Sequence, residues 1–370
     1  MPQKFQFARA EGHGTFHHFS DIMQFRYIFF LFSTAFLTFS ACKKEDQTAG
    51  QVTFVQPANF PSPVYDFSNN DITQAGFEVG RKLFYDPLLS RDSTIACADC
   101  HISFSAFSHP EHATSHGIGG QFGKRNAPAI QNMAWRTHFF WDGGVPNLDL
   151  VPLNAIQSAV EMDEKPGNIV RKLNRHRTYP SLFKKAFPAL DTIDGPSMLK
   201  ALSQFMNALV SANSRYDKYI RKEEGGTLNT QELAGLEVFK VKCASCHATD
   251  LFTDQTYRNN GILSDFSHDK GRAEVSALAE DIGKFSVPSL RNVEKTAPYM
   301  HSGIFNTLEE VLEFYNERDI NPKFAHPEVA STINKTDLGN LKLAKQDISD
   351  IIAFLKTLTD GFKPIADTKK

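Results

Sequence analysis

The chain is poor in cysteine, in tryptophan and in net charge. Its 370 residues hold five Cys, two Trp, and 40 Lys plus Arg against 42 Asp plus Glu. The near balance argues against a nucleic-acid binder, which carries a basic excess. Five Cys cannot all pair, and their spacing points away from a disulfide framework. There is no sustained period-two alternation, which argues against a sheet protein. The hydrophobic fraction of 41% is too high for a disordered chain. At about 100–200 residues per domain, the length suggests two domains.

Long apolar runs are also missing, with one partial exception. Residues 27–41, YIFFLFSTAFLTFSA, follow Arg26. The run is too short for a membrane-spanning helix, which needs about 20 residues. A basic flank, a short apolar run and small terminal residues describe a secretory signal. It ends in Phe39-Ser40-Ala41-Cys42, which resembles a bacterial lipobox. Cys42 is therefore expected to carry lipid and to begin the mature chain, the only membrane attachment expected. An ordinary signal with an incidental Cys is the alternative. Met23 is the expected start of translation, and residues 42–70, polar and Pro-containing, read as a tether with little structure.

The other four Cys fall in Cys97-Ala98-Asp99-Cys100-His101 and Cys243-Ala244-Ser245-Cys246-His247. C-x-x-C-H is the spacing of c-type haem attachment. Two thiols three positions apart reach the two vinyl groups of one porphyrin, and the adjacent His supplies an axial nitrogen. Four thiolates around one Zn would be the rival reading. The pairs lie 146 residues apart, however, and each carries a trailing His. A thioredoxin-like pair needs a βαβ context, which is absent.

Helical periodicity surrounds the motifs. Ala75, Val79 and Leu83 share a face over 73–85, which stops at Asp86-Pro87. Leu199, Leu202, Met206 and Leu209 recur at three- and four-residue steps within 196–220. Asn229 with Glu232 and Thr307 with Glu310 are capping pairs, the second opening a helix over 308–315. Ile348, Ile352, Leu355 and Leu358 mark a helix over 345–358, with Gly361 as its stop. The expected fold is mostly α: two haem domains with long loops.

A shift of 160 residues superposes Pro128 on Pro288, Asn132 on Asn292, Gly143 on Gly303, Leu148 on Leu308 and Val151 on Val311. Trp141 then falls on His301, and Ala155 on Tyr315. Duplication is the simplest explanation. Alanine cannot ligate iron, and a haem lacking a second protein ligand can bind a small molecule, whereas a doubly ligated one mainly transfers electrons. The asymmetry suggests a reactive N-terminal haem and a relay C-terminal haem.

The sequence resembles the bacterial dihaem cytochrome c peroxidase family, which includes MauG. The likeness rests on GRKLFYDP at 80–87, KRNAP at 124–128, FWDG at 140–143, VEM at 160–162, VPSLRN at 287–292 and TAPYMHSG at 296–303. It implies two cytochrome-c-like domains facing each other, an N-terminal peroxidatic one at 71–222 and a C-terminal electron-transfer one at 223–362, before a tail at 363–370. It implies one haem on Cys97 and Cys100 with His101 as iron ligand, and a second on Cys243 and Cys246 with His247. Glu161 matches the acid/base that works on hydrogen peroxide, and Trp141 the aromatic between the haems. Asn126, with the carbonyls of Thr296 and Pro298, matches a Ca²⁺ site; oxygen donors suit that ion. The implied partner is a small periplasmic cytochrome or copper protein acting as electron donor, and the implied compartment is the periplasm.

Each of these residues also has a plainer reading. Most Glu are solvated surface acids, and Trp is usually a core aromatic. Tyr315 stands where the pattern has a Met ligand to the relay haem, as in MauG. Met300 is the rival ligand, and a buried helix Tyr with a hydrogen-bond partner is the plainer account. His116 lies where some members place a removable second ligand, although His101, His109 and His112 share that stretch and a loop role is open to each. Val151, Gly144 and His109 stand where the family pattern has Gln, Arg and Asp. These departures bear on the electron donor and the natural substrate.

Overall fold

The structure is a computed structural model and describes residues 52–262, 266–324 and 331–360. The signal segment, Cys42, the stop at Gly361 and the tail at 363–370 lie outside the described residues. No helix among the described residues is long and apolar enough to cross a membrane.

The fold is helical, and its cores form where helices cross at glycine. Helix α1 (Gln74–Phe84) begins where Thr73 Oγ1 accepts from Gly76 N at 3.0 Å. It buries Phe77, Val79, Leu83 and Phe84. One turn, α2 (Cys97–Cys100), carries the first attachment motif. Helices α3 (Val151–Gln157), α4 (Pro166–Arg175), α5 (Tyr179–Ala186) and α6 (Gly195–Asn207) complete the first lobe. Gly80 lets α1 cross α6 at van der Waals limit, since a Cβ there would lie 1.9 Å from Ala201 O.

The second lobe repeats this device. Helix α7 (Arg215–Arg221) places Tyr216 against Phe252 and Phe354. Helix α8 (Thr230–Lys242) leads into Cys243 behind the Asn229–Glu232 capping box. A short turn, α9 (Ala273–Ser276), and helix α10 (Leu308–Glu317), capped by Thr307 and Glu310, precede α11 (Lys345–Lys356). Gly235 of α8 abuts α11, where a Cβ would lie 1.9 Å from Asp350 O. Strands β1 (Tyr257–Arg258) and β2 (Phe285–Ser286) form one small antiparallel pair.

Backbone geometry bears out the 160-residue register. Asn132 and Asn292 are left-handed at φ 57° and 58°, and each opens a 3-10 turn, Met133–Trp135 and Val293–Lys295. Phe139 bridges Val145 as Tyr299 bridges Phe305. Phe140 and Met300 are both left-handed, at 68° and 72°, as are Gly143 and Gly303. Unusual angles at matched positions are hard to reach by chance.

Two expectations need revision. The periodic stretch over 196–220 is two helices, because long-range bonds capture the chain between them. Asn132 N donates to Leu209 O at 2.9 Å, and its side chain exchanges hydrogen bonds with Ser211 N and O. Likewise, the described part of the tether, 52–70, is docked. Phe54 and Phe60 pack on Trp135, whose Nε1 donates to Pro61 O at 2.8 Å. Its aromatics make burial favourable, at about 1.5–3 kcal/mol for a fully buried large side chain.

Gly235→Ala should destabilise the protein despite a helix-propensity gain of about 1 kcal/mol. Overpacking costs typically about 1–3 kcal/mol, and here the obstructing atom is backbone. A lower urea midpoint checks this; an unchanged or higher one contradicts the helix crossing.

Candidate haem sites

Each attachment motif is built around one helical turn and one carbonyl. In the first, His101 N donates to Cys97 O at 3.0 Å, and the Asp99 carboxylate accepts from Ala96 N at 2.8 Å. In the second, His247 N donates to Cys243 O at 2.9 Å. His101 Nδ1 lies 2.7 Å from Phe107 O, and His247 Nδ1 lies 3.1 Å from Phe252 O. A carbonyl only accepts, so both Nδ1 atoms carry the proton and both Nε2 atoms present a lone pair. Burial lowers the pKa of both rings, which favours the neutral form that ligands must adopt. None of these four Cys is paired in a disulfide. Burial pushes Cys97 and Cys243 up to about 12 and Cys100 up to about 11.

A large cavity opens beside the second motif. Cys243, Cys246 and His247 line it, with Trp135, Trp141, Met300, His301 and Tyr315. Three of its lining residues, Gln131, Arg258 and His301, carry a buried side-chain nitrogen with no partner (Nε2, Nε and Nε2). Two thiols, an imidazole with a bare Nε2, apolar walls and unpaired polar atoms fit a c-type haem with its carboxylate arms. Among the described residues, no group of three or more His, Cys, Asp or Glu is arranged to hold a bare metal ion, which disfavours the Zn reading.

Glu161 belongs to the first site. Ser115 Oγ donates to Glu161 Oε1 at 3.4 Å, and Glu161 O accepts from Ile118 N at 2.7 Å. Burial raises its pKa, against a smaller lowering from Ser115. Next to Ser115, His116 O accepts from Cys100 Sγ at 3.5 Å. The His116 ring stacks on His112 with centroids 4.4 Å apart, and His109 lies 4.5 Å from His112. Three imidazoles thus share one neighbourhood, and His109 Nδ1 and His112 Nδ1 are buried without partners.

Trp141 sits where the lobes meet. Its Nε1 donates to Asn126 O at 2.9 Å, and it lines the second cavity. Its neighbour Phe140 packs with Cys97 against the first core. Asn126 Nδ2 donates to His112 O and Ala113 O at 3.1 and 3.2 Å. Asn126, Thr296 and Pro298 all line the one cavity. Tyr315 and Met300 touch: the phenol donates to Met300 Sδ at 3.8 Å, and Asn260 Nδ2 also donates to that sulfur, at 3.2 Å. Burial pushes the Tyr315 hydroxyl up to about 12. Ala155, its counterpart, packs at the edge of the first core with Cys97.

Sequence reasoning missed Ser115 as the partner of Glu161; a loop serine carries no signal for that. It also missed Arg125, whose guanidinium pairs with Asp142 and Asp269 and joins the two halves. Replacing Cys243 and Cys246 by Ala should halve the haem-to-protein ratio in a pyridine haemochrome assay. Two haems remaining would refute the second site.

A family model described as di-haem cytochrome c peroxidase matches residues 74–225, and one described as cytochrome c matches 233–359. The chain is 31% identical to a cytochrome c551 peroxidase of Nitrosomonas europaea over 76% of this chain and 79% of that protein. It is 28% identical to the methylamine utilization protein MauG of Methylorubrum extorquens, over 85% of this chain and 86% of that one. A solved MauG-like protein associated with microbial copper homeostasis superposes with a TM-score of 0.75 at 30% identity, covering 83% of this chain and 95% of that one. With two cytochrome-c-like lobes, two c-type haem attachment motifs and relatives that are cytochrome c peroxidases, the chain is an enzyme of the di-haem cytochrome c peroxidase and MauG family.

Proposed function

We propose that the enzyme reduces hydrogen peroxide to water at the N-terminal haem, with electrons entering through the C-terminal haem from a small redox protein. The export signal and Cys42 support a periplasmic, lipid-anchored location. When bound, the two haems supply the iron centres and the electrons: one peroxide, two electrons and two protons yield two waters. The chain's part is to place, gate and move protons.

The reading is carried by Glu161. Its carboxylate is largely shielded, faces the Ser115–His116 loop that touches Cys100, and meets Ser115 but no cation among the described residues. Burial raises its pKa above the ordinary carboxylate value, the direction that suits a group taking up and returning a proton. Glu161 takes the proton from the near peroxide oxygen and returns it to the departing one. Trp141, between the lobes, is the inter-haem relay. Tyr315 would be the second protein ligand to the C-terminal haem iron, while Ala155, which cannot ligate, would leave the N-terminal iron accessible. His116 is a removable ligand there, and Asn126 with the Thr296 and Pro298 carbonyls holds Ca²⁺ at the lobe junction.

A second reading is favoured by Tyr315. A phenolate is a hard donor that favours high oxidation states, whereas Met raises the potential. That suits peroxide-driven oxidation of a protein or organic substrate, as opposed to simple peroxide disposal.

Glu161→Gln should keep both haems and lose peroxide turnover by about 10²–10⁴-fold. In the parent enzyme the catalytic form is the ionised carboxylate, and burial raises its pKa. Turnover should therefore rise with pH through a point above the ordinary carboxylate range. Full activity in the variant, or an acid limb at an ordinary carboxylate value, contradicts the role. Tyr315→Phe should change the optical and EPR spectra of the C-terminal haem, and Met300→Leu should not; the reverse result makes Met300 the ligand.

A further inference from the structure

His301 occupies the position that the 160-residue register assigns to Trp141, and it is 3% exposed. The two counterparts meet edge to face, with ring centroids 6.3 Å apart and planes at 68°. The imidazole also lies flat on Phe285, with centroids 3.5 Å apart and planes at 11°. Phe285 is covered in turn by the Arg125 guanidinium, 5.5 Å from its centroid, which Asp142 and Asp269 hold in place.

The backbone closes this arrangement into a ring. Trp141 Nε1 donates to Asn126 O, Asn126 N donates to His301 O at 2.7 Å, and Ser286 N, next to Phe285, donates to Trp141 O at 2.7 Å. A single indole hydrogen bond fixes one atom of Trp141 and leaves its plane free to swing. The edge-to-face contact with a clamped neighbour fixes the plane, which is the geometry aromatic pairs prefer.

We infer that His301 is a positioning residue for Trp141. Its imidazole, clamped on Phe285, sets the orientation of the indole between the two haem sites. The inference rests on Trp141 being the inter-haem relay. In this role His301 acts through the indole.

The test uses the mature two-haem enzyme in its half-reduced state. Carbon monoxide is photolysed from it, and the redistribution of the electron between the haems is timed. Trp141→Phe tests the underlying relay and should slow redistribution. His301→Ala should slow it about tenfold, the scale set by losing one aromatic contact. Because His301 also lines the second haem cavity, rates are compared only between preparations that carry two haems, and the variant's crystal structure should show the indole turned away from Asn126 O. His301→Phe, which can still stack, should restore the rate to within about threefold. Should His301→Ala fail to mature with two haems, His301→Leu takes its place with the same expectation. A slow Trp141→Phe beside an unaffected His301→Ala overturns this inference and spares the relay. An unaffected Trp141→Phe removes both. Equal slowing by His301→Ala and His301→Phe shows that a ring nitrogen, and not the ring plane, is at work, and also overturns it.

Discussion

The structure depends on two short contacts between an imidazole and a backbone carbonyl, His101 to Phe107 and His247 to Phe252. Each fixes which ring nitrogen bears the proton, and so which one is available to iron. Everything else holds those contacts still. Phe107 and Phe252 are themselves deeply buried, and both are left-handed at φ 59° and 54°. The helix leading to each motif is pressed against a partner helix at a glycine, Gly80 on α6 and Gly235 on α11. A side chain at either glycine would shift the turn that carries the thiols.

The two halves share a backbone plan and differ in the side chains laid on it. Left-handed residues recur at matched positions, yet Phe140 answers Met300, Trp141 answers His301 and Ala155 answers Tyr315. In the proposed function, divergence at these few side chains is what separates a haem that binds a small molecule from one that passes electrons. The halves are then locked together by charge. Arg125 of the first half bridges Asp142 to Asp269 of the second, and within the second lobe Arg291 and Asp217 form a pair that is 1% and 0% exposed in its side chains. Removing one member of a buried pair costs about 3–5 kcal/mol, because the other charge is left without compensation. The lobe junction, where Trp141 sits, is therefore held rigidly.

What was legible in the sequence was local. The thiol and imidazole spacing, the Asn229 and Thr307 caps and the duplicated register are short-range patterns, and the structure reproduces them. What escaped depends on distant partners. The break between α6 and α7 is imposed by Asn132, 79 residues from Ser211, against a periodicity that runs on without interruption. The docking of residues 52–70 needs Trp135 as a receiving surface. His109, His112 and His116 are spread over a loop in the sequence, and only folding gathers their rings. Ser115 and Arg125 acquire meaning only from the carboxylates they face.

The central claim is that one iron is open to a small ligand while the other is closed on both faces by protein. Cyanide titration of the ferric enzyme, followed optically and by EPR, tests it most directly, taken after one-electron reduction and reoxidation so that any removable ligand has been released. The account predicts one cyanide bound per two haems, perturbing only the haem attached at Cys97 and Cys100. Binding of two cyanides, of none, or of one at the haem attached at Cys243 and Cys246 would contradict it.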